Sequence, residues 1–311
     1  MAESLGQGQG TATAFKERGF GAAFRVSMNL SNGKNVARFP YWHIDLNSGS
    51  GRNEDARCDG SPIVFLEMAA QHRPNFKAFF CDHDLKAIEA LSARVGSTAY
   101  CFGCDNREIL AVVSAAIAKA ERNPSYSVGT VVCDPNGYTG DAMPHEEIAQ
   151  FAQRHERIDL IFNLNVSTYQ WMKGNIRLRR KGWESKFCPS IREFPAMFHR
   201  RHWLISEIRS PGRGHRFVIL IGRNFPTDGH RSMGHYRFES IDGERILQEF
   251  EGAAQRANPL GTLPQLPGLS EASGLPGSPT GGDDVGRLAV RPVRRKSDRG
   301  PSQGVLPLGD V

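Results

Sequence analysis

Four acidic residues, Asp45, Asp82, Asp105 and Asp134, each stand where an apolar run of strand length ends. The first sits in YWHIDLNSGSGRN, residues 41–53, followed by Asn47, Gly49 and Gly51. A strand that delivers a carboxylate to a sheet edge, next to glycines that let the backbone turn sharply and approach a ligand, is how a nucleoside cofactor is gripped. Each aspartate alone also has an ordinary explanation as an N-cap where a strand meets a helix. Four in succession, the first preceding a glycine turn, make a shared site the stronger reading. The last opens Asp134-Pro135-Asn136-Gly137 with Tyr138 next, which is either a reactive turn or a plain β-turn of suitable composition.

These residues need a scaffold, and the hydropathy pattern supplies one. Strand-length apolar runs alternate with segments of helical period, as in a parallel sheet covered on both faces. After the run into Asp45, strands are expected over 76–81, 98–102, 128–133 and 158–162. Between them, 64–70 belongs to a helix opened by Ser61 as capping hydroxyl and Pro62 at the first helical position. Leu85, Ile88, Leu91 and Val95 mark a helix over 84–95. Ile109, Val112, Val113, Ala116 and Ala120 mark another, and 144–154 a further one. The runs 203–208 and 217–221, separated by SPGRGH, read as an antiparallel hairpin closing the sheet edge. Ligands of open α/β sheets bind outside the carboxyl ends of the strands, so the four carboxylates should line one crevice.

The pattern over residues 38–225 resembles the class I S-adenosylmethionine-dependent methyltransferases. The resemblance implies an α/β fold, Rossmann-like and doubly wound, with a mostly parallel seven-stranded sheet and an antiparallel edge hairpin. It implies S-adenosylmethionine as cofactor. Asp45, Gly49 and Gly51 match the family's first motif, with Asn47 in place of its first glycine. Asp82 falls where the family binds the ribose hydroxyls, which a carboxylate can accept from together, and Asp105 where it contacts the adenine amino group. Enzymes of this class acting on exocyclic amino groups carry Asp or Asn, two prolines and an aromatic ring where Asp134-Pro135-Asn136-Gly137 stands. There a side-chain oxygen and a turn carbonyl accept both amino hydrogens and aim the nitrogen lone pair at the methyl group, while a ring stacks on the extruded base. Asn136 replaces the second proline and Gly137 the ring, with Tyr138 one residue late. IDLNSGSGRN, GSPIVFLEMA and DPNG together are most similar to the methyltransferase-like three-Cys-motif partner proteins.

Following the fifth strand, Lys173, Arg177, Arg179, Arg180, Lys181 and Lys186 are interleaved with Tyr169, Trp171 and Trp183. Cations for phosphates and rings for bases suit single-strand or flipped-base recognition, and Trp171, Lys173, Arg177, Arg179, Arg180, Lys181 and Trp183 are the candidate nucleic-acid contacts. A solvated basic loop anchored by its tryptophans is the alternative. The net charge of +6 agrees with a phosphate-rich partner. Residues 1–18 and 252–311 are expected to be disordered tails, the second rich in Pro, Gly and Ser with a basic RPVRRKSDRG patch. Residues 19–251 would form one domain with a basic insert at 166–200.

No apolar stretch approaches the length of a membrane span. Of the six cysteines, Cys101 and Cys104 form a lone C-x-x-C without the second pair that structural zinc needs, so no metal is expected. Cys81 and Cys133 look like small core residues, and a reducing, cytoplasmic setting fits. His43 reads as a core-edge residue. The leading expectation is methyl transfer to a base amino group of a nucleic acid, DNA ahead of RNA. A catalytically inactive methyltransferase-like module serving a protein partner is the alternative, favoured by Gly137. A nicotinamide enzyme is disfavoured because Glu54 stands where G-x-G-x-x-G needs its third glycine.

Overall fold

In the computed structural model the described residues are 13–30, 39–54, 56–135, 143–166, 190–209, 216–227 and 231–256. The chain opens with α1 (Thr13–Leu30), β1 (Tyr41–Asp45) and a short ladder of β2 (Arg52–Asn53) with β3 (Cys58–Asp59). It continues through α2 (Ser61–His72), β4 (Phe76–Asp82), α3 (Leu85–Val95), β5 (Tyr100–Gly103), α4 (Asn106–Ala120) and β6 (Val128–Cys133). Then come α5 (His145–Arg154), β7 (Ile158–Asn165), α6 (Phe194–Met197), β8 (His202–Arg209), β9 (Arg216–Arg223), β10 (Tyr236–Arg237) and α7 (Ile241–Arg256).

One sheet runs β10-β8-β9-β7-β6-β1-β4-β5. β5, β4, β1, β6 and β7 are mutually parallel, whereas β9 is antiparallel to β7 and to β8. This is the expected Rossmann-like α/β architecture with an antiparallel edge. Its sheet has eight strands rather than seven, because Tyr236 and Arg237 pair with Ile205 and Leu204 and add a short outer strand. Within the hairpin the later strand is the inner one, since β9 lies between β7 and β8. Progression outward from β1 through β4 to β5, and then back to β6 on its other side, creates a switch point at the carboxyl ends of β1 and β6.

Both faces of the sheet are covered, and strand residues alternate between two cores, which is why the central strands read as continuous apolar runs. Trp42, Ile44, Phe79, Val131, Leu160, Phe162 and Trp203 pack with Ile109, Val113, Ile148, Phe151, Phe194, Ile246 and Phe250, the side chains of α4 to α7. Tyr41, Ala78, Phe80, Val132, Ile161, Leu204 and Ile219 pack with Phe20 and Phe24 of α1, Phe65 of α2, and Ile88 and Leu91 of α3. His43 belongs to this second layer as a buried ring. It stacks on Phe65 at 3.5 Å between centroids and bonds Thr130 Oγ1 through Nδ1 at 2.8 Å. Burial holds its imidazole well below the usual histidine range.

Three boundaries differ from expectation. Residues 13–18, assigned from composition to a tail, are the first turns of α1, which buries Phe20 and Phe24 completely. Further along the helix a Cβ at Gly19 would meet Ile208 Cδ1 at 1.9 Å, so α1 packs closely on the hairpin there. At the other end α7 continues to Arg256, past the expected limit at 251. Ser61 does not cap α2. Gly60 is the N-cap and makes no side-chain bond, and the Ser61 hydroxyl turns into the site instead.

Candidate functional site

Register places the carboxylates on one rim. Asp45 pairs across from Phe80 on β4 and Val132 on β6, so Asp82 and Asp134 lie two residues further along the same direction on the flanking chains. β5 is parallel to β4, with Asp82 opposite Gly103, and this brings Asp105 to the same edge. The loop after β1 is stitched over this rim by the sheet itself. Leu46 N donates to Val132 O at 3.0 Å and Ser48 N to Cys81 O at 2.9 Å. Gly49 N then donates to Asp82 Oδ2 at 2.9 Å, and Gly60 N to Gly51 O at 2.9 Å. Gly49 and Gly51 have φ of +58° and +71°, in the left-handed region that favours glycine.

The four aspartates do different work. Asp45 is fully buried beneath the loop. Its Oδ1 accepts from Asn47 N at 3.1 Å and its Oδ2 from Ser61 Oγ at 2.8 Å, so it fixes the turn rather than presenting a surface. Burial pushes its carboxyl up to about 7 against those hydrogen bonds, with Asp134 and Asp82 adding to the rise. Asp82, Asp105 and Asp134 keep side-chain exposures of 14%, 47% and 15%, enough to meet a ligand. Asp82 Oδ1 accepts from Asp84 N at 3.0 Å with His83 Nδ1 3.4 Å away, and Oδ2 accepts from Gly49 N, which leaves Oδ2 a further lone pair. Asp105 is the N-cap of α4 and accepts from Arg107 N at 2.9 Å and Arg107 Nη1 at 3.2 Å.

Asp134 is held on both sides. Lys16 Nζ of α1 donates to Oδ2 at 2.7 Å, and Asn163 Nδ2 of β7 donates to Oδ1 at 2.7 Å. Lys16 also pairs with Glu17 Oε1 at 3.5 Å. Burial works against the Lys16 charge, but Asp134 and Glu17 outweigh it and hold the ammonium protonated above its ordinary range. Burial pushes the Glu17 carboxyl up to about 7, Lys16 opposes this, and Asp134 and Asp45 reinforce it. Lys16, Glu17 and Asn163 were not singled out from the sequence, and Ser61 was read only as a helix cap. Asn163 did carry a signal, as a buried amide inside the apolar run of β7. Lys16 and Glu17 lay in a segment that composition assigned to a tail.

The structure therefore brings Asp45, Asn47, Gly49, Gly51, Asp82, Asp105, Asp134 and Pro135 to one rim. Asn136 and Tyr138 lie outside the described residues, as do Trp171, Lys173, Arg177, Arg179, Arg180, Lys181 and Trp183. Among the described residues no group of three His, Cys, Asp or Glu side chains is placed to hold a metal ion. Nor is any helix among them long and apolar enough to cross a membrane.

No family model and no curated protein matches this chain. Solved structures similar to it include protein LPL1258 from Legionella pneumophila, 12% identical with a TM-score of 0.46 over 78% of this chain and 94% of that one. Human methyltransferase-like protein 13 in complex with SAH is 15% identical, with a TM-score of 0.39 over 81% of this chain and 96% of that one. The N-methyltransferase NodS from Bradyrhizobium japonicum is 10% identical, with a TM-score of 0.36 over 66% and 94%. Identities this low give no residue correspondence.

Proposed function

We propose that this chain is an S-adenosylmethionine-dependent methyltransferase whose acceptor is a base amino group of a nucleic acid. The observation that carries the cofactor reading is the Gly49 N to Asp82 Oδ2 bond between the loop after β1 and the end of β4. Beside it a Cβ built on Gly49 would meet nothing within 4 Å, so open space adjoins a backbone turn and the Asp82 carboxylate. Asp82, and Asp105 and Asp134 beside their cationic partners Arg107 and Lys16, give the rim carboxylate acceptors, which suits a ligand carrying amino and hydroxyl donors. Asp82 would accept from the ribose hydroxyls and Asp105 from the adenine amino group. Asn47, Gly49 and Gly51 would line the turn, and Asp45 with Ser61 would hold it from beneath.

When bound, S-adenosylmethionine supplies a methyl group already activated on sulfur. What this chain adds is position. Asp134 and the Pro135 backbone would accept the hydrogens of the target amine, with Asn136 completing the turn and Tyr138 offering a ring to the extruded base. Lys16 now takes one of the Asp134 oxygens, so an incoming amine must displace that ammonium or share the remaining lone pairs. The nucleic-acid acceptor, DNA ahead of RNA, rests on the basic and aromatic residues between Trp171 and Trp183. The likeness of IDLNSGSGRN, GSPIVFLEMA and DPNG to the three-Cys-motif partner proteins extends the reading to a protein partner.

A second reading is favoured by the same contact: with Lys16 and Asn163 both on Asp134, the chain would be a cofactor-binding module without turnover. Thermal melting with S-adenosylmethionine, S-adenosylhomocysteine and NAD tests the shared premise, since a ligand that binds only the folded state raises the melting temperature. The first two should raise it and NAD should not. A flat response to both sulfur ligands refutes the cofactor reading. Incubation with methyl-labelled cofactor and separate pools of DNA, RNA and cell extract then separates the two readings: label in DNA supports the enzyme, and binding without label in any pool supports the module.

A further inference from the structure

Five cysteines among the described residues form no disulfide. Two of them lie at the candidate site, and they are not the pair that the C-x-x-C spacing suggests. Cys101 packs on the face of the sheet covered by α1, α2 and α3, whereas Cys104 packs on the opposite face, against the core of α4 to α7. Cys81, at the carboxyl end of β4, points to that same face. Its Sγ lies 3.6 Å from Cys104 Sγ and 3.4 Å from Cys104 O. Each cysteine directly precedes a rim carboxylate, Cys81 before Asp82 and Cys104 before Asp105.

We infer that Cys81 and Cys104 form a peroxide-sensitive thiol pair whose oxidation to a disulfide closes the nucleoside-binding rim. The inference that closure weakens cofactor binding rests on the function proposed above. The chemistry needs a hydroperoxide as oxidant. Cys104 is half-buried, and the Cys81 thiol beside its sulfur favours its thiolate, holding it below the ordinary cysteine range. Its sulfur attacks one peroxide oxygen, the O–O bond breaks, and hydroxide or alkoxide leaves, producing a sulfenic acid. The buried Cys81 sulfur then displaces the sulfenic oxygen. An S–S bond forms, the S–O bond breaks, and the Cys81 proton leaves with the oxygen as water. Two electrons pass from the sulfurs to the peroxide.

Geometry supplies the effect. A disulfide holds its sulfurs about 2.0 Å apart, so the pair must approach from its present 3.6 Å. That movement draws the segment after β5 toward the end of β4, and it acts one residue from both Asp82 and Asp105. Asp82 also holds Gly49 N, so the glycine loop moves with it. Drawing either carboxylate away from a ligand donor removes a hydrogen bond to a charged group, which weakens binding by about tenfold or more.

The test uses the full chain. The reduced protein is treated with hydrogen peroxide, remaining thiols are alkylated, and a non-reducing digest is mapped by mass spectrometry. The expected product is an intramolecular Cys81–Cys104 link, absent in Cys104→Ser and in Cys81→Ala, retained in Cys101→Ser, and reversed by dithiothreitol. A Cys101–Cys104 link, or no link, overturns the pairing. Calorimetric titration with S-adenosylhomocysteine should show affinity at least about tenfold lower in the oxidised form, restored on reduction. Equal affinity in both forms overturns the gating. If the reduced protein binds no S-adenosylhomocysteine, the proposed function and the gating fail together, and the peptide map still decides the disulfide.

Discussion

Asp82 and Asp134 occupy matching places on strands either side of Asp45, and their partners separate their roles. Asp82 holds the loop that adjoins open space, so Asp82→Ala should weaken S-adenosylhomocysteine binding by about tenfold or more, as expected for loss of a charged hydrogen-bond acceptor. Asp134→Ala should leave that affinity within about threefold and abolish methyl transfer. Isothermal titration with a labelled-methyl assay checks both, and equal loss of binding in the two variants contradicts the assignment. Glu17 gives a prediction on pH. Its carboxyl is raised from 4.5 to about 7 in the folded protein, chiefly by burial, so the folded state binds the extra proton and ionisation penalises folding. Wild type should lose stability relative to Glu17→Gln as pH rises from about 4.5 through 7, by on the order of 3 kcal/mol in total. Urea titrations of both proteins at steps across that window measure the difference. The buried His43 imidazole produces an opposing slope, but it is common to both proteins and cancels. A difference independent of pH would show that Glu17 ionises normally.

At the scale of elements, the loop between β1 and α2 contains two glycines with separable functions. Gly51 has φ +71°, and a Cβ there would meet Leu91 Cδ1 of α3 at 2.5 Å. Gly49 has φ +58° and open space around it. Both Gly→Ala changes incur the left-handed penalty of about 1–2 kcal/mol, but only Gly51→Ala also disturbs the packing of the loop on α3. Urea unfolding should therefore rank Gly51→Ala as the less stable protein. Cofactor titration should show that Gly49→Ala loses more affinity than its stability change explains, because its methyl enters the space beside Asp82. The reverse ranking would place the ligand elsewhere. Helix α1 couples the edge hairpin to the site, since Gly19 packs against Ile208 and Ile219 while Lys16 reaches Asp134. If the lysine competes with the acceptor, Lys16→Met should lower the KM for the acceptor while leaving cofactor affinity within about twofold.

At the scale of the whole molecule, the core closes with Ile246, Leu247 and Phe250 of α7. A chain ending at Arg256 should accordingly melt within about 2 °C of the full chain, since no described core side chain is removed. A larger drop would mean that residues 257–311 contribute to folding. The net charge of +6 gives nucleic-acid binding a testable form. Replacing Lys173, Arg177, Arg179 and Arg180 by serine should reduce the slope of log affinity against log salt by roughly one for each residue that meets a phosphate. An unchanged slope would assign that segment to solvent.

The order β1, α2, β4, α3, β5, α4, β6, α5, β7 was legible in the sequence because period-two and period-3.6 hydropathy is a local property, and a sheet buried on both faces writes its strands as apolar runs; the two-residue strands β2 and β3 are too short to leave such a pattern. The acidic strand ends were legible for the same reason, being defined by neighbours along the chain. What each aspartate does was not. Asp45 is a buried clamp and Asp105 a helix cap, while Asp82 meets the glycine loop and Asp134 is claimed by Lys16 from more than a hundred residues away. The same limit applied to Lys16, read as a tail residue although it reaches Asp134, and to Cys104, whose partner is Cys81 rather than its neighbour in the C-x-x-C. Sequence determined the layers and the rim, because those follow from short-range pattern. Tertiary structure alone decided who meets whom at that rim, because burial and Coulomb interactions act across space between segments that the chain's order keeps apart.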